Sequence, residues 1–377
     1  MSGVSMERFK AGHACGADWY QAAEACLEQV GHIPARANLG FLYVTDTLVS
    51  QLREILAYFK DVTGIEQWVG TVGMGVCGNG REYFDQPAVT AMVATFPDDS
   101  FRVFSTIKSS VDDFVHNNQS WYVKVNSRFG IVHADPRNTK IPAFIAQLAD
   151  EIMGGFLVGG LTSSRGAYSQ IAKEVTEGGI SGVLLAGDIA VTTALTQSCA
   201  PIGGKHEITE CQSNVAITID ERPAFDVFHE DVGDLIARDP HGSVGYVFAA
   251  LPIKGSDTGD YLVRHLVGFD PEKKLLAVGE KLEPGDSIMF CRRDTDSAYK
   301  DLLRMLRDIE GRANGTPKGG VYYSCVGRGP SLFGQNSEEL KVIQQELGDF
   351  PLVGFFGNGE VSHNRLYGYT GVLTLFL

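Results

Sequence analysis

The residues best suited to chemistry lie in two glycine-rich segments near the C-terminus. Residues 322–334, YYSCVGRGPSLFG, place Cys325 at the end of an apolar run and Arg328 between two glycines. A thiol beside a cation can become a thiolate nucleophile, and a guanidinium on a glycine turn can hold a carboxylate or phosphate through two hydrogen bonds. No histidine neighbours Cys325, which favours a small buried residue ending a strand. For Arg328, a ligand-binding role and a surface loop position both remain open.

The second segment, PLVGFFGNGEVSH at residues 351–363, carries Gly357, Glu360 and His363. Glu-x-x-His spacing occurs in carboxylate-bridged metal sites, where it lies on helices and in pairs. Here the spacing occurs once and on a loop. A Glu360 that faces a ligand, or that accepts hydrogen bonds from backbone amides, is therefore favoured over a metal ligand.

A predicted strand, YLVRHLVGFD at residues 261–270, adds Arg264 and His265. Successive side chains on a strand point to opposite faces, so these two cannot enter one site unless a bulge intervenes. The nine histidines are scattered without HxH or HxxxH spacing. Axial ligation of haem needs only one histidine, so the spacing leaves haem open.

Composition excludes several classes of partner. The chain has 377 residues and a formal net charge of -14, without a run of lysines or arginines. This argues against nucleic acid and against an anionic membrane surface. We find no signal peptide and no segment long and apolar enough to span a bilayer. The seven cysteines form no CxxC pair, which predicts a reduced, cytoplasmic protein.

Glycine-rich loops recur along the chain. Helix, apolar strand, glycine loop and later strand follow one another around residues 68–80, 156–166 and 351–360, with a partial fourth case around residues 319–329. The GxGxxG of the first loop precedes NGREYFDQP, which is a poor start for the helix that a dinucleotide-binding motif requires. Binding of a nicotinamide or flavin dinucleotide at this loop is therefore rejected. We predict a mixed α/β protein: two related α/β regions with mixed sheets, flanking helices and glycine-rich loops at strand ends.

Several motifs, in this order, resemble one known family. They are VGTVGMGVCGNG, FLVGGLTSS, HEITECQSNVAITIDERPAFDVF, YLVRHLVGFD, FCRRD, SCVGRGPSLFG and PLVGFFGNGE. Their order and spacing are similar to those of FIST proteins. The resemblance implies an N-terminal extension and helix at residues 1–37, a FIST N-terminal domain at 38–222 and a FIST C-terminal domain at 223–377.

The resemblance implies a sensory protein in signal transduction that binds a small ligand such as an amino acid, with an arginine for its anionic group. No kinase, cyclase or other output region is visible, so it implies a stand-alone sensor acting on a separate histidine kinase or cyclase. Some bacterial stand-alone members bind haem and sense nitric oxide, which is the alternative. A cysteine-dependent enzyme and a pure docking protein rank below these, and a homo-oligomer is compatible with the sequence.

By these motifs, the expected ligand-binding residues are Cys325, Arg328, Gly357, Glu360 and Arg264. The candidate haem or metal ligands are His363 and His265.

Overall fold

The computed structural model describes residues 9–152, 154–238, 247–253, 260–313 and 315–377. It divides into two compact units. Unit 1 comprises residues 1–196 and 302–377, and unit 2 comprises residues 197–301. The mixed α/β class predicted from the sequence is confirmed. Within the described ranges, every helix is too short or too polar to cross a bilayer.

Unit 1 repeats one order of strands and helices three times. The first repeat consists of an edge strand, a helix, a strand, a helix, a second strand, a hairpin and a returning strand. These are β1 (Lys10–Cys15), α1 (Trp19–Val30), β2 (Leu39–Thr45), α2 (Leu52–Thr63), β3 (Trp68–Gly73), β4 (Gly75–Gly78), β5 (Arg81–Phe84) and β6 (Ala88–Ala94). The apolar faces predicted for α1 and α2 are buried in the structure, which confirms both helices. α2 ends at Gly64, which has the left-handed conformation.

The second repeat has the same order. It consists of β7 (Phe101–Ile107), α3 (Asp112–Lys124), β8 (Phe129–Ala134), α4 (Ile141–Glu151), β9 (Phe156–Leu161), β10 (Gln170–Ala172), β11 (Glu174–Thr176) and β12 (Ile180–Leu185). Pro142 lies in the first turn of α4, as the sequence predicts, because proline there removes no helical hydrogen bond. The third repeat begins with β13 (Val191–Gln197).

Unit 2 follows β13 and is a closed antiparallel barrel. Its elements are β14 (Cys199–Gln212), β15 (Val215–Ile219), β16 (Arg222–Pro223), α5 (Ala224–Arg238), β17 (Val247–Pro252), β18 (Tyr261–Asp270), β19 (Leu275–Val278) and β20 (Ser287–Arg293). Around the barrel the order is β14-β20-β17-β18-β19-β15, and β15 pairs back with β14. Closure leaves these six strands without a free edge.

The third repeat resumes after the barrel. It continues with α6 (Thr295–Ala313), β21 (Gly319–Cys325), α7 (Glu338–Leu347), β22 (Leu352–Gly357), β23 (Glu360–His363), β24 (Arg365–Tyr367) and β25 (Thr370–Phe376). The barrel is thus inserted in sequence between the edge strand and the helix of this repeat. The segment 319–325, which the sequence analysis counted as a fourth glycine unit, is the first strand of the third repeat.

The three repeats build three sheets of identical plan. In each, the first strand runs parallel to the second and antiparallel to the returning strand, as with β2, β3 and β6. Each hairpin leaves its own sheet: β4–β5 joins β22, β10–β11 joins β3, and β23–β24 joins β9. Every repeat therefore completes the sheet of another, and unit 1 has a pseudo-threefold plan.

Side chains from all three sheets meet in one apolar cluster. The equivalent positions of the first strands are Tyr43, His133 and Tyr323. The Tyr43 hydroxyl lies 3.2 Å from Nε2 of His133 and 2.9 Å from the Tyr323 hydroxyl. Burial lowers the pKa of His133 to about 3, so its ring is neutral. These three hydrogen-bonding groups satisfy part of one another's polar capacity inside the core.

Candidate functional site

The glycine loops after the second strands contact one another. The Met74 amide donates to Ser163 Oγ over 2.8 Å, and Ser163 Oγ donates to the Phe356 carbonyl. The Leu161 amide donates to the Gly359 carbonyl over 2.8 Å. Since parallel β21 and β22 end at the same edge, Cys325 pairs with Gly357 there. The C-terminal motifs of the sequence are thereby brought beside this junction.

Arg328 lies in the loop after β21 and is completely buried in an ion pair with Glu339 of α7. Nε of Arg328 is 2.8 Å from Oε1 of Glu339, which also accepts from the Tyr322 hydroxyl at 2.6 Å and from Ser324 at 3.1 Å. The Gly329 amide donates to Oε2 over 2.9 Å. Both oxygens of the Glu339 carboxylate accept hydrogen bonds. An anionic ligand could therefore pair with Arg328 only by replacing Glu339.

A second carboxylate, Glu82 of β5, lies nearby; the residue is half-buried, but both of its carboxylate oxygens are shielded from solvent. Neither of its oxygens has a hydrogen-bond partner of good geometry. Burial and the charge of Glu339 raise the pKa of Glu82 to about 8, although the Leu340 amide and Arg328 partly oppose this. A buried, unpaired carboxylate is costly when ionised, so this group holds a proton or requires a donor from outside the chain.

A third carboxylate, Glu360, starts β23 and is completely buried. Its Oε2 accepts hydrogen bonds from the Thr370 amide at 3.2 Å and the Thr370 hydroxyl at 2.7 Å, while Oε1 has no partner. Burial raises the pKa of Glu360 to about 8 despite these bonds and the charge of Arg328. We call Glu82, Glu339 and Glu360, with Arg328, the carboxylate cluster.

Cys325 lies next to the carboxylate cluster and is nearly buried. Burial, followed by the charge of Glu360, raises the pKa of the Cys325 thiol to about 12. The thiol is therefore protonated at neutral pH, and the thiolate that a cysteine nucleophile requires is disfavoured. Gly357 has a structural reason to be glycine, because a Cβ there would lie 2.8 Å from the Leu161 carbonyl oxygen.

Two expected site residues lie in unit 2, whereas the carboxylate cluster belongs to unit 1. Nε of Arg264 on β18 is 2.7 Å from Oε2 of Glu280, in a pair whose arginine side chain is 19% exposed. His265 is exposed on the same strand, and its ring centroid lies 5.3 Å from that of Phe248. The structure thus gathers Cys325, Arg328, Gly357 and Glu360 but places Arg264 and His265 in the barrel.

His363 ends β23, three residues after Glu360, in the left-handed backbone conformation with φ 58°. Its ring is 5.3 Å from that of Phe156, and burial lowers its pKa, so the imidazole is neutral. A neutral imidazole suits metal ligation. Three of the cavities in the described part of unit 1, of about 730, 520 and 280 Å³, are lined by residues other than histidine, so none of these three offers His363 to a haem.

No metal-binding cluster of three or more His, Cys, Asp or Glu side chains occurs in the described part of the chain. The carboxylate cluster can instead bind protons or hydrogen-bond donors, since Glu82 and Glu360 contribute three unpaired oxygens.

Glu82 and Glu339 were not among the site residues predicted from the sequence. Glu339 occurs in SEELKVI, where two acidic residues resemble a solvated helix start, but the buried Val342 and Ile343 lie three and four residues later on the same face of α7. Glu82 shares a strand face with Phe84, and Phe84 packs against an apolar cluster. A charged residue that shares a face with apolar neighbours was the available signal in both cases.

The raised pKa of Glu360 predicts a pH dependence of stability. The folded protein holds the proton up to about pH 8, whereas the unfolded chain releases it near the ordinary value of 4.5. Stability from this group is therefore full below about pH 4.5 and is lost as pH rises toward 8. We expect Glu360→Gln to raise the free energy of unfolding by about 3 to 4 kcal/mol at pH 8 relative to its effect at pH 5, because the variant has no proton to lose between these pH values.

Urea unfolding at both pH values measures this difference. Glu338→Gln, on the exposed side of α7, is the control and should show the same difference from wild type at both pH values. An equal effect of Glu360→Gln at pH 5 and pH 8 would show that Glu360 is ionised in the folded protein at both.

Comparison with known proteins gives relatives over nearly the whole chain. An uncharacterized protein of Mycobacterium tuberculosis is 29% identical over 380 residues, and one of Mycobacterium bovis is 26% identical over 377 residues. Each alignment covers 94% of this chain and 94% of the relative. Among solved structures, PurLQS from Thermotoga maritima aligns at 12% identity over 97% of this chain and 71% of that chain, with a TM-score of 0.23.

Two family models match the chain. The FIST N domain matches residues 38–222, and the FIST C domain matches residues 224–363. FIST domains are associated with signal transduction and small-ligand sensing. The chain therefore belongs to the FIST family.

Proposed function

We propose that this protein is a cytosolic sensor that binds a small ligand at the carboxylate cluster and signals through a separate protein such as a histidine kinase or a cyclase. The observation that carries the proposal is the buried oxygen Oε1 of Glu360, which has no hydrogen-bond partner. Buried polar groups in proteins nearly always have partners, so an unpaired carboxylate oxygen beside glycine loops suits a ligand that brings a donor.

The ligand chemistry that fits best is an amino acid. Its ammonium group supplies the donor that Glu360 lacks, and a charge-assisted bond would favour ionised Glu360 over the protonated form of the free protein. Its carboxylate would take over Arg328 from Glu339. Arg328 and Glu360 are near enough for the guanidinium charge to lower the pKa of Glu360. One small zwitterion could therefore engage both groups.

This exchange would give the sensor two states. Without ligand, Glu339 in the first turn of α7 neutralises Arg328. With ligand, the ligand carboxylate binds Arg328, and Glu339 together with the start of α7 is released. A ligand shifts such an equilibrium only if it binds one state better than the other, and here the contact with Arg328 exists in only one state. A partner protein that contacts α7 could read the difference.

Isothermal titration calorimetry with each of the twenty amino acids tests the proposal. We expect at least one to bind, with affinity at least about tenfold weaker in Glu360→Gln, because the neutral amide cannot form the charged bond. Glu338→Gln, which changes an exposed carboxylate of α7, should bind like wild type. If no amino acid binds, or if Glu360→Gln binds as wild type does, the ligand site is elsewhere.

A further inference from the structure

We propose that the free edge of β7 binds an extended acidic segment of a partner protein as an added strand. A cavity of about 730 Å³ in unit 1 is a groove that runs along this strand. Its walls are β7 and the residues after it, the first half of α3, and Lys173 between β10 and β11. The groove shares no lining residue with the carboxylate cluster. Binding of a segment in the groove therefore does not depend on the ligand proposed for that cluster.

β7 has one unpaired edge. It is the last strand in the order β24-β23-β9-β8-β12-β7 and pairs only with β12 among the described residues. The Ala186 amide donates to the Ser100 carbonyl over 2.7 Å, which fixes the alternation along the strand. Residues 100, 102 and 104 then turn their backbone groups toward β12. The N–H and C=O groups of Phe101 and Val103 consequently point away from β12, at the open edge of the sheet, and Val103 lines the groove. Beyond Phe104 a bulge interrupts this alternation.

The groove also leaves a place for side chains of an added strand. Ser105 is exposed, while its neighbour Phe104 is buried under α3. Arg102 fixes α3 beside the strand, since its guanidinium lies 5.2 Å from the Trp121 ring and donates to the Asn117 carbonyl. A strand of seven residues rises about 23 Å, which matches an extended segment of similar length better than a compact small molecule.

The charge of the groove selects an acidic occupant. Arg102, Lys108 and Lys173 line it, against the single carboxylate of Asp113. No ion pair joins Lys108 or Lys173 to a carboxylate in the described portion of the chain. A local excess of positive charge is unusual for a chain with a net charge of -14. Complementary charge steers association and rejects partners of the wrong sign, while the backbone groups of an edge strand supply affinity.

A substitution at Val103 separates strand addition from charge attraction alone. Val103→Pro removes an N–H that points away from β12, and proline is tolerated on an edge strand where the sheet does not use the N–H. Val103→Ala is the matched control because it also shortens the side chain but keeps the N–H. The probe is a fluorescein-labelled heptapeptide, Glu-Val-Glu-Thr-Glu-Val-Glu, and binding is measured by fluorescence anisotropy on the full chain.

We expect the peptide to bind wild type and Val103→Ala with equal affinity, and to bind Val103→Pro at least about tenfold more weakly. Circular dichroism checks that each variant is folded. If Val103→Pro does not fold, the lysine variants below decide. Equal affinity of a folded Val103→Pro for the peptide would overturn strand addition.

Lysine variants test the charge. Lys108→Gln and Lys173→Gln should each weaken binding severalfold, whereas Arg53→Gln on the exposed face of α2 should not change it. A peptide with lysine in place of each glutamate should fail to bind. Absence of binding by the acidic peptide, or equal binding of both peptides, would overturn the proposal. Self-association that Val103→Pro abolishes would identify a second copy as the occupant instead, and would equally overturn it.

Discussion

Glu339→Ala is expected to lower the free energy of unfolding by about 3 to 5 kcal/mol. The side chain is completely buried, and its two oxygens accept four hydrogen bonds, including one from the equally buried Arg328. Removing the carboxylate leaves a guanidinium inside the protein without its counter-charge, and that uncompensated charge is the main cost. The Tyr322 hydroxyl and the Gly329 amide lose their acceptor as well. Chemical denaturation at pH 7 measures the change.

The neighbouring residue provides the control. Glu338 pairs with Lys341 at 3.1 Å, but both side chains are well exposed, at 49% and 40%. Exposed pairs contribute little, so Glu338→Ala should change stability by no more than about 0.5 kcal/mol. The double variant Arg328→Met with Glu339→Leu should recover a large part of the loss, because it removes both buried charges. Equal effects of Glu338→Ala and Glu339→Ala on the free energy of unfolding would contradict a large contribution of the buried Arg328–Glu339 pair to stability.

The ion pair also decides between two uses of Arg328. A surface arginine in a glycine turn would be available to any anion, as the sequence left open. The buried Arg328 is already neutralised, so its use in binding requires an exchange of carboxylates. The stability cost of losing Glu339 then limits affinity, since a ligand must supply equivalent bonds before α7 is released. The resulting competition is what would make the site respond to a zwitterion and ignore a simple cation.

Local elements of the fold were predictable because their signals are local. The apolar stripe of α1, the terminal Gly64 of α2 and the proline of α4 each act within a few residues. The sheets were not predictable, because each hairpin pairs with a strand from another repeat. Val353 of β22 pairs with Gly78 of β4, for example, across most of the chain length. Periodicity within a segment contains no information on such a partner.

The site was predictable to the extent that parallel strands end together. Cys325 and Gly357 are neighbours because β21 and β22 are parallel, and that arrangement follows from two apolar strands joined by a helix. Arg264 could not be separated from them by sequence, because the barrel is inserted into the third repeat and interrupts its chain order. Glu82 comes from the exchanged hairpin of the first repeat, so its approach to Glu339 depends on tertiary pairing alone.

The repeats make a second large effect predictable, at three equivalent glycines. Gly70, Gly159 and Gly354 occupy the same register position of the second strand in each repeat. A Cβ there would lie 1.8, 1.8 and 1.7 Å, respectively, from the carbonyl oxygen of the residue opposite on the first strand. No rotamer change relieves a clash between a Cβ and the backbone, so the two parallel strands would have to separate.

Gly354→Ala is therefore expected to cost more than about 4 kcal/mol, or to prevent folding, because it separates β21 from β22 beneath the carboxylate cluster. Thermal unfolding and yield of soluble protein measure the effect. Gly311→Ala is the control: this glycine lies on the exposed side of α6, where an added Cβ meets nothing within 4 Å. Alanine there should stabilise by about 0.5 to 1 kcal/mol. A soluble Gly354→Ala protein with unchanged stability would show that the strands tolerate separation, and the close parallel pairing that positions Cys325 and Gly357 would then not be a requirement of the fold.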